Sequence, residues 1–141
     1  MSTTEEAPGT EWHGAVPGSV PTTAAAARGQ VKEVLARYSA ETGQVVSPEA
    51  CYDVLLAVSE LVTNALRHGA GLSGFRTTVA NDVLRVEVAD HSTTEPHTPA
   101  GRDLLTGAGG MGWPIVRAVA DQVHVSAGLT GKTIVATFPL A

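Results

Sequence analysis

The chain has 141 residues, 43% hydrophobic and 16% charged, with a formal net charge of −5. That length supports one domain with a real core and not two. The acidic balance, with no run of Lys or Arg, argues against sequence-independent binding to nucleic acid, and no stretch approaches the ~18 continuous apolar residues of a membrane span.

Aromatic residues make up only 4% of the chain, so the core must be built from Val, Leu, Ile and Ala. The lone cysteine, Cys51, cannot form an internal disulfide, and it reads as a small buried residue within a helical pattern. Residues 1–11, MSTTEEAPGTE, are acidic and polar, the opposite of a secretion signal. They read as a disordered tail ahead of a domain spanning 12–141, and the cytoplasm is the expected compartment.

In chain order, residues 12–16 read as a short edge strand before the PGSVP turn. A helix is predicted over 22–40, capped by Thr22 or Thr23, with Val31, Val34, Leu35 and Tyr38 at helical spacing. Ser47-Pro48-Glu49 starts a second helix, a capping serine before proline at the first helical position. It runs to His68 and stops at Gly69. Val54, Leu55, Val58, Leu61, Val62, Ala65 and Leu66 share its apolar face, while Glu60, Asn64 and Arg67 fall opposite, with His68 at the edge.

Strands follow at 74–81 and 83–90, joined at Asn81-Asp82 as a hairpin. Residues 91–108 read as a long loop of the kind that serves as a functional lid. A third helix opens at Gly112 and runs to Ala120, with Ile115, Val116 and Val119 inward and Trp113 in the core. Residues 122–128 and 132–140 alternate as a closing hairpin. The fold class is therefore α+β, a two-layer sandwich with helices on one face of the sheet.

Three pieces carry candidate chemistry. Glu60 and Asn64 stand on adjacent turns of one helix face. A carboxylate there can orient or deprotonate a hydroxyl, and an amide carbonyl can ligate Mg²⁺. Arg67 and His68 extend the same side toward phosphate oxygens. The pattern is equally that of a solvated helix face. Asp90 ends a strand, where it can accept a hydrogen bond from an exocyclic amine or simply start a turn. The cluster Gly107, Gly109, Gly110 and Gly112 opens a helix, where backbone amides and the helix dipole favour an anion; it also serves as a plain connection. No Lys-Ser or Lys-Thr follows it, so it is not a P-loop.

Taken together, these pieces resemble the histidine-kinase-like ATPase superfamily, which includes gyrase and the histidine kinases, and within it the bacterial anti-sigma factor serine-kinase branch. The resemblance rests on Glu60-Leu-Val-Thr-Asn64-Ala-Leu-Arg67-His68, Asp90-His91-Ser92, Gly109-Gly110-Met111-Gly112-Trp113 and Gly131-Lys132-Thr133. It implies the Bergerat ATP-binding fold, a mixed and mostly antiparallel sheet backed by three helices. It implies Glu60 as the catalytic residue, serving as base or orienting the attacking hydroxyl, Asn64 as Mg²⁺ ligand, and ATP held by Asn64, Arg67, His68, Asp90, Ser92, Gly109, Gly110, Met111, Gly112 and Thr133. Its implied partners are a sigma factor and a small antagonist protein, with a homodimer as the assembly and no nucleic acid or membrane contact. Ser92 stands where that family has glycine, so altered adenine contact is expected. A non-catalytic module of the same fold, holding a partner with ATP structural or absent, is the alternative.

Overall fold

The computed structural model describes residues 14–15, 19–68, 70–93 and 112–141. The tail at 1–11, most of the lid segment, and Gly109, Gly110 and Met111 lie outside the described residues. Helix α1 spans Ala24–Thr42, α2 Pro48–His68 and α3 Gly112–Val119. Strands β1 (Gly14–Ala15), β2 (Leu72–Ala80), β3 (Val83–Asp90), β4 (Gln122–Ala127) and β5 (Lys132–Pro139) form one sheet in the order β1-β2-β3-β5-β4. All four ladders among these strands are antiparallel.

Local chemistry explains the boundaries. Thr23 caps α1, its Oγ1 accepting the Ala26 amide at 3.0 Å. The helix runs two residues past the expected end because Gly43, at φ 76°, supplies the left-handed stop and its N–H reaches the Ser39 carbonyl. Ser47 Oγ accepts from the Ala50 amide at 3.1 Å, placing Pro48 at the first helical position. Asn81 and Asp82 both have positive φ, 55° and 61°, the geometry of a two-residue hairpin turn of type I′. β2 begins at Leu72, two residues before the expected start, because a bulge between Leu72 and Gly74 lets pairing with Asp90 resume.

The core fills the space between the helices and one face of the sheet. Val31, Val34, Leu35 and Tyr38 of α1 meet Val54, Ala57, Val58, Leu61, Val62 and Ala65 of α2 over the β3 and β5 stripes. Trp113 and Val116 of α3 join that core, whereas Val119 packs partly buried at its margin and Ile115 is half-exposed. Cys51 is partly buried against the same core. Leu66 does not belong to it: at 39% exposure it sits with Arg67 and His68 on an outward-facing last turn of α2. Ala57, absent from the expected apolar face, is fully buried.

Period-two alternation makes the core-facing stripe of β3 Leu84, Val86, Val88 and Asp90, and that of β5 Lys132, Ile134, Ala136 and Phe138. Both stripes are apolar along their length and end in a charge at the same end of the sheet, where Asp90 pairs with Lys132. The C-terminus of α2 reaches that end too, because the Gly71 amide donates to the Ala65 carbonyl and Leu72 pairs with Asp90. No helix among the described residues is long and apolar enough to cross a membrane.

Candidate functional site

The first group of site residues lies where α3 begins against α2. A Cβ built on Gly112 would stand 2.6 Å from Glu60 Oε1 and 3.3–3.4 Å from the Asn64 side-chain amide atoms. Only a residue without a side chain lets the start of α3 approach Glu60 and Asn64 so closely. The spacing that put Glu60 and Asn64 on one helix face therefore holds in three dimensions, and the face is not bare solvent: both side chains are half-buried. Next to Glu60, Ser59 is held by the Arg28 guanidinium, whose Nη1 donates to Ser59 Oγ at 3.0 Å, while that hydroxyl donates to the Leu55 carbonyl. Arg67 and His68 are exposed on the last turn of α2.

A second group closes the sheet end. Asp90 is 5% exposed, and Lys132 Nζ donates to its Oδ2 at 2.7 Å in a buried ion pair. The Ser92 amide donates to Asp90 Oδ1 at 2.9 Å, an Asx-type turn. That bond comes from the backbone, and Ser92 is not among the positive-φ residues, so serine satisfies the turn without glycine's freedom. Gly131 is a different case. A Cβ there would collide with the Asp90 carbonyl oxygen, so β5 can pass beside the end of β3 only with glycine at this position.

Thr133, expected at the adenine end, follows Lys132 on β5. Thr133 pairs with Ala89 and alternates away from the core-facing stripe, and Lys132, one residue earlier, is the side chain that meets Asp90. Composition and motif spacing gave no signal for Lys132. The signal lay in the period of two, which puts Lys132 in phase with Ile134 and Ala136 and therefore on the buried face.

Chain connectivity ties the two groups together. Residue 91 leaves the sheet beside Asp90, and the chain returns at Gly112 against Glu60 and Asn64. Asn64 and Asp90 are also linked through Ala65, Gly71 and Leu72 at the same end of the molecule. The described contacts thus place a half-buried Glu–Asn pair, a glycine helix start and a buried acid–base pair around one end of the two-layer interface.

A family model for the histidine kinase-like ATPase domain matches residues 20–138, most of the chain. The chain belongs to that family. Among solved structures, this ATPase domain is similar to the crystal structure of the RsbU and RsbW domains of Rv1364c from Mycobacterium tuberculosis. The TM-score is 0.56 at 22% identity, covering 91% of this chain and 32% of that one. The likeness is one of fold, and this domain spans about a third of that structure's length. No curated protein matches the chain.

Family membership implies ATP as ligand, and the residues fit one. The start of α3 is a helix N-terminus, the kind of place where backbone amides favour an anion, and it lies against Glu60 and Asn64; Asp90 offers a buried acceptor for a base amine. For a metal the fit is narrower. Among the described residues no group of three His, Cys, Asp or Glu side chains could hold an ion. Mg²⁺ at nucleotide sites is commonly held by one or two protein oxygens, phosphates and waters.

Proposed function

We propose that this histidine kinase-like ATPase domain is an anti-sigma regulatory factor of the serine-kinase branch. It transfers the terminal phosphate of ATP to a serine of a small antagonist protein and in its other state binds a sigma factor, acting as a homodimer. The observation that carries this reading is the seat of Gly112 on Glu60 and Asn64, which puts a carboxylate at the mouth of a helix N-terminus suited to phosphate.

In this reading Glu60 accepts the proton of the attacking serine hydroxyl, a role a carboxylate within hydrogen-bond reach can fill. Asn64 turns its amide oxygen toward the phosphates, where Mg²⁺, when bound, neutralises charge. The backbone N–H groups of Gly109, Gly110, Met111 and Gly112 surround the phosphates, Arg67 and His68 supply cationic and donor groups at the rim, and Asp90 takes the adenine amine. Ser92 contributes its amide by fixing the Asp90 carboxylate. Catalysis is then positioning and charge stabilisation rather than covalent chemistry.

The test is a thermal unfolding series with Mg-ATP, followed by phosphate transfer to a purified antagonist-type protein carrying an acceptor serine. Ligand at ~100 times its dissociation constant adds ~2.7 kcal/mol of stability. A stabilisation of that size with transfer to serine supports the reading. Stabilisation without transfer reduces it to a nucleotide-dependent partner-binding module, and no stabilisation by ATP removes the nucleotide from the account.

A further inference from the structure

The nucleotide reading gives Asp90 one task, to accept the amine of the base, yet both of its oxygens are already bonded. Oδ1 accepts the Ser92 amide at 2.9 Å, and Oδ2 accepts the Lys132 ammonium at 2.7 Å. The two bonds differ in kind. Ser92 donates from the backbone of the same turn, so the chain itself fixes it. Lys132 reaches across from the next strand on a long flexible stem, as the register partner of Asp90. Asp90 is 5% exposed and Lys132 9%, so the pair is shut away from any group the size of a base, and the unused lone pairs of the carboxylate are shut away with it. Gly131 brings the β5 backbone against the Asp90 carbonyl, so the strands hold their spacing and the lysine stem is the part that can move.

Resting on that nucleotide reading, we propose that Lys132 competes with the base amine for Asp90, and that the nucleotide is therefore held mainly through its phosphates with little selectivity for the amine. The amine is a neutral donor, whereas an ammonium makes a charge-assisted bond to a carboxylate, roughly twice as strong as a neutral one. Exchange of one for the other also strands the ammonium, whose bond to Asp90 is the one it makes among the described residues. Separating a buried ion pair costs more than separating an exposed one. The exchange therefore runs against the base. The amine gains Asp90 only when Lys132 swings out to water, and the affinity for ATP is lowered by what that movement costs. A nucleotide without the amine leaves the pair in place and binds through its phosphates alone. A free buried carboxylate would behave differently, because it discriminates against any base that leaves it unpaired.

The experiment is equilibrium binding of two magnesium nucleotides, ATP and purine riboside triphosphate, to the full chain and to Lys132→Ala. The second nucleotide is ATP without its 6-amino group, so the pair isolates the amine. In the unaltered chain the two dissociation constants should agree within about threefold, the mark of an amine that forms no net bond. Lys132→Ala frees Oδ2 and opens the space beside it. There ATP should bind about tenfold tighter or more, both against the unaltered chain and against the analogue, as expected of a bond to a charged acceptor. Lys132→Met, which removes the charge and keeps the stem, carries the same comparison if Lys132→Ala does not fold, and the ratio in the unaltered chain stands without either variant. A larger preference for ATP in the unaltered chain overturns the proposal and leaves the ATP site intact, because Asp90 then already reads the amine. A smaller gain in the variant overturns it as well. Binding of ATP by the variant alone is the expected result in its strongest form, and binding by neither chain removes the nucleotide reading together with the proposal.

Discussion

An aspartate stands at each end of β3, and the two are used in opposite ways. Asp82, in the hairpin turn, accepts the Tyr38 hydroxyl at 2.7 Å, and its carbonyl takes the Leu140 amide at 2.8 Å. A neutral donor, a fully buried ring and a backbone bond pin helix α1, the hairpin and the C-terminal strand together. Asp90, at the other end, meets a buried ammonium whose other donors have no partner among the described residues. The first arrangement is closed, with its ring inside the core; the second leaves the ammonium with one partner among the described residues. Closed polar contacts hold a fold, and open ones bind, because a buried group with unmet bonding capacity gains from a partner that supplies it.

The largest effect expected at the open end concerns chemistry rather than folding. Glu60→Gln keeps the shape beside Gly112 but removes the proton acceptor. Phosphate transfer to serine should fall by ~10³-fold, within the span that general base catalysis covers, while Mg-ATP affinity stays within about threefold. Transfer rates near those of the unaltered chain would take Glu60 out of the reaction.

Next in size is the joint between β3 and β5. Gly131→Ala forces a methyl group into the Asp90 carbonyl, backbone against side chain, and neither can swing aside. A loss of about 2–3 kcal/mol is expected from urea unfolding, the range for overpacking that shifts backbone. An unchanged midpoint would mean that β5 does not pass Asp90 as described.

The closed end makes a pH prediction. Burial, reinforced by the bond to Asp82 and the negative charge of that carboxylate, pushes the Tyr38 phenol from 10.0 up to about 12. The folded chain then holds this proton more tightly than the unfolded chain does. The contribution is fully present below pH 10 and is lost as pH rises through about 12, amounting to ~2–3 kcal/mol. Tyr38→Phe should flatten that part of the stability profile, and a profile identical to that of the unaltered chain would show that Tyr38 does not set it.

The smallest stability effect belongs to Gly112→Ala. Its new methyl meets the far end of Glu60, a side chain that can move, so unfolding should shift by less than ~1 kcal/mol. Transfer should nonetheless drop by about tenfold, since displacement of the carboxylate from its reacting position is enough to slow the step. Loss of stability without loss of transfer would mark Gly112 as a packing residue only.

Much of this was legible in the chain itself. Apolar spacing located Val31, Val34, Leu35 and Tyr38 in α1; capping chemistry located Ser47-Pro48; and Asn81-Asp82 announced its hairpin, because each depends on interactions within a few residues. The Glu60–Asn64 face was legible for the same reason, being one turn of one helix. What local pattern could not decide was every contact between elements. Leu66 fits the apolar face of α2 by angle, but its final turn is exposed, and no periodicity reports where a neighbouring layer ends. The seat of Gly112 on Glu60 joins residues fifty-two positions apart, and the Asp90–Lys132 pair joins residues separated by forty-two. The amino-acid order determined the helices, the hairpins and the family motifs through short-range propensity. Strand register alone decided that Lys132 rather than Thr133 faces Asp90, because which of two adjacent side chains points inward is fixed by pairing across the sheet.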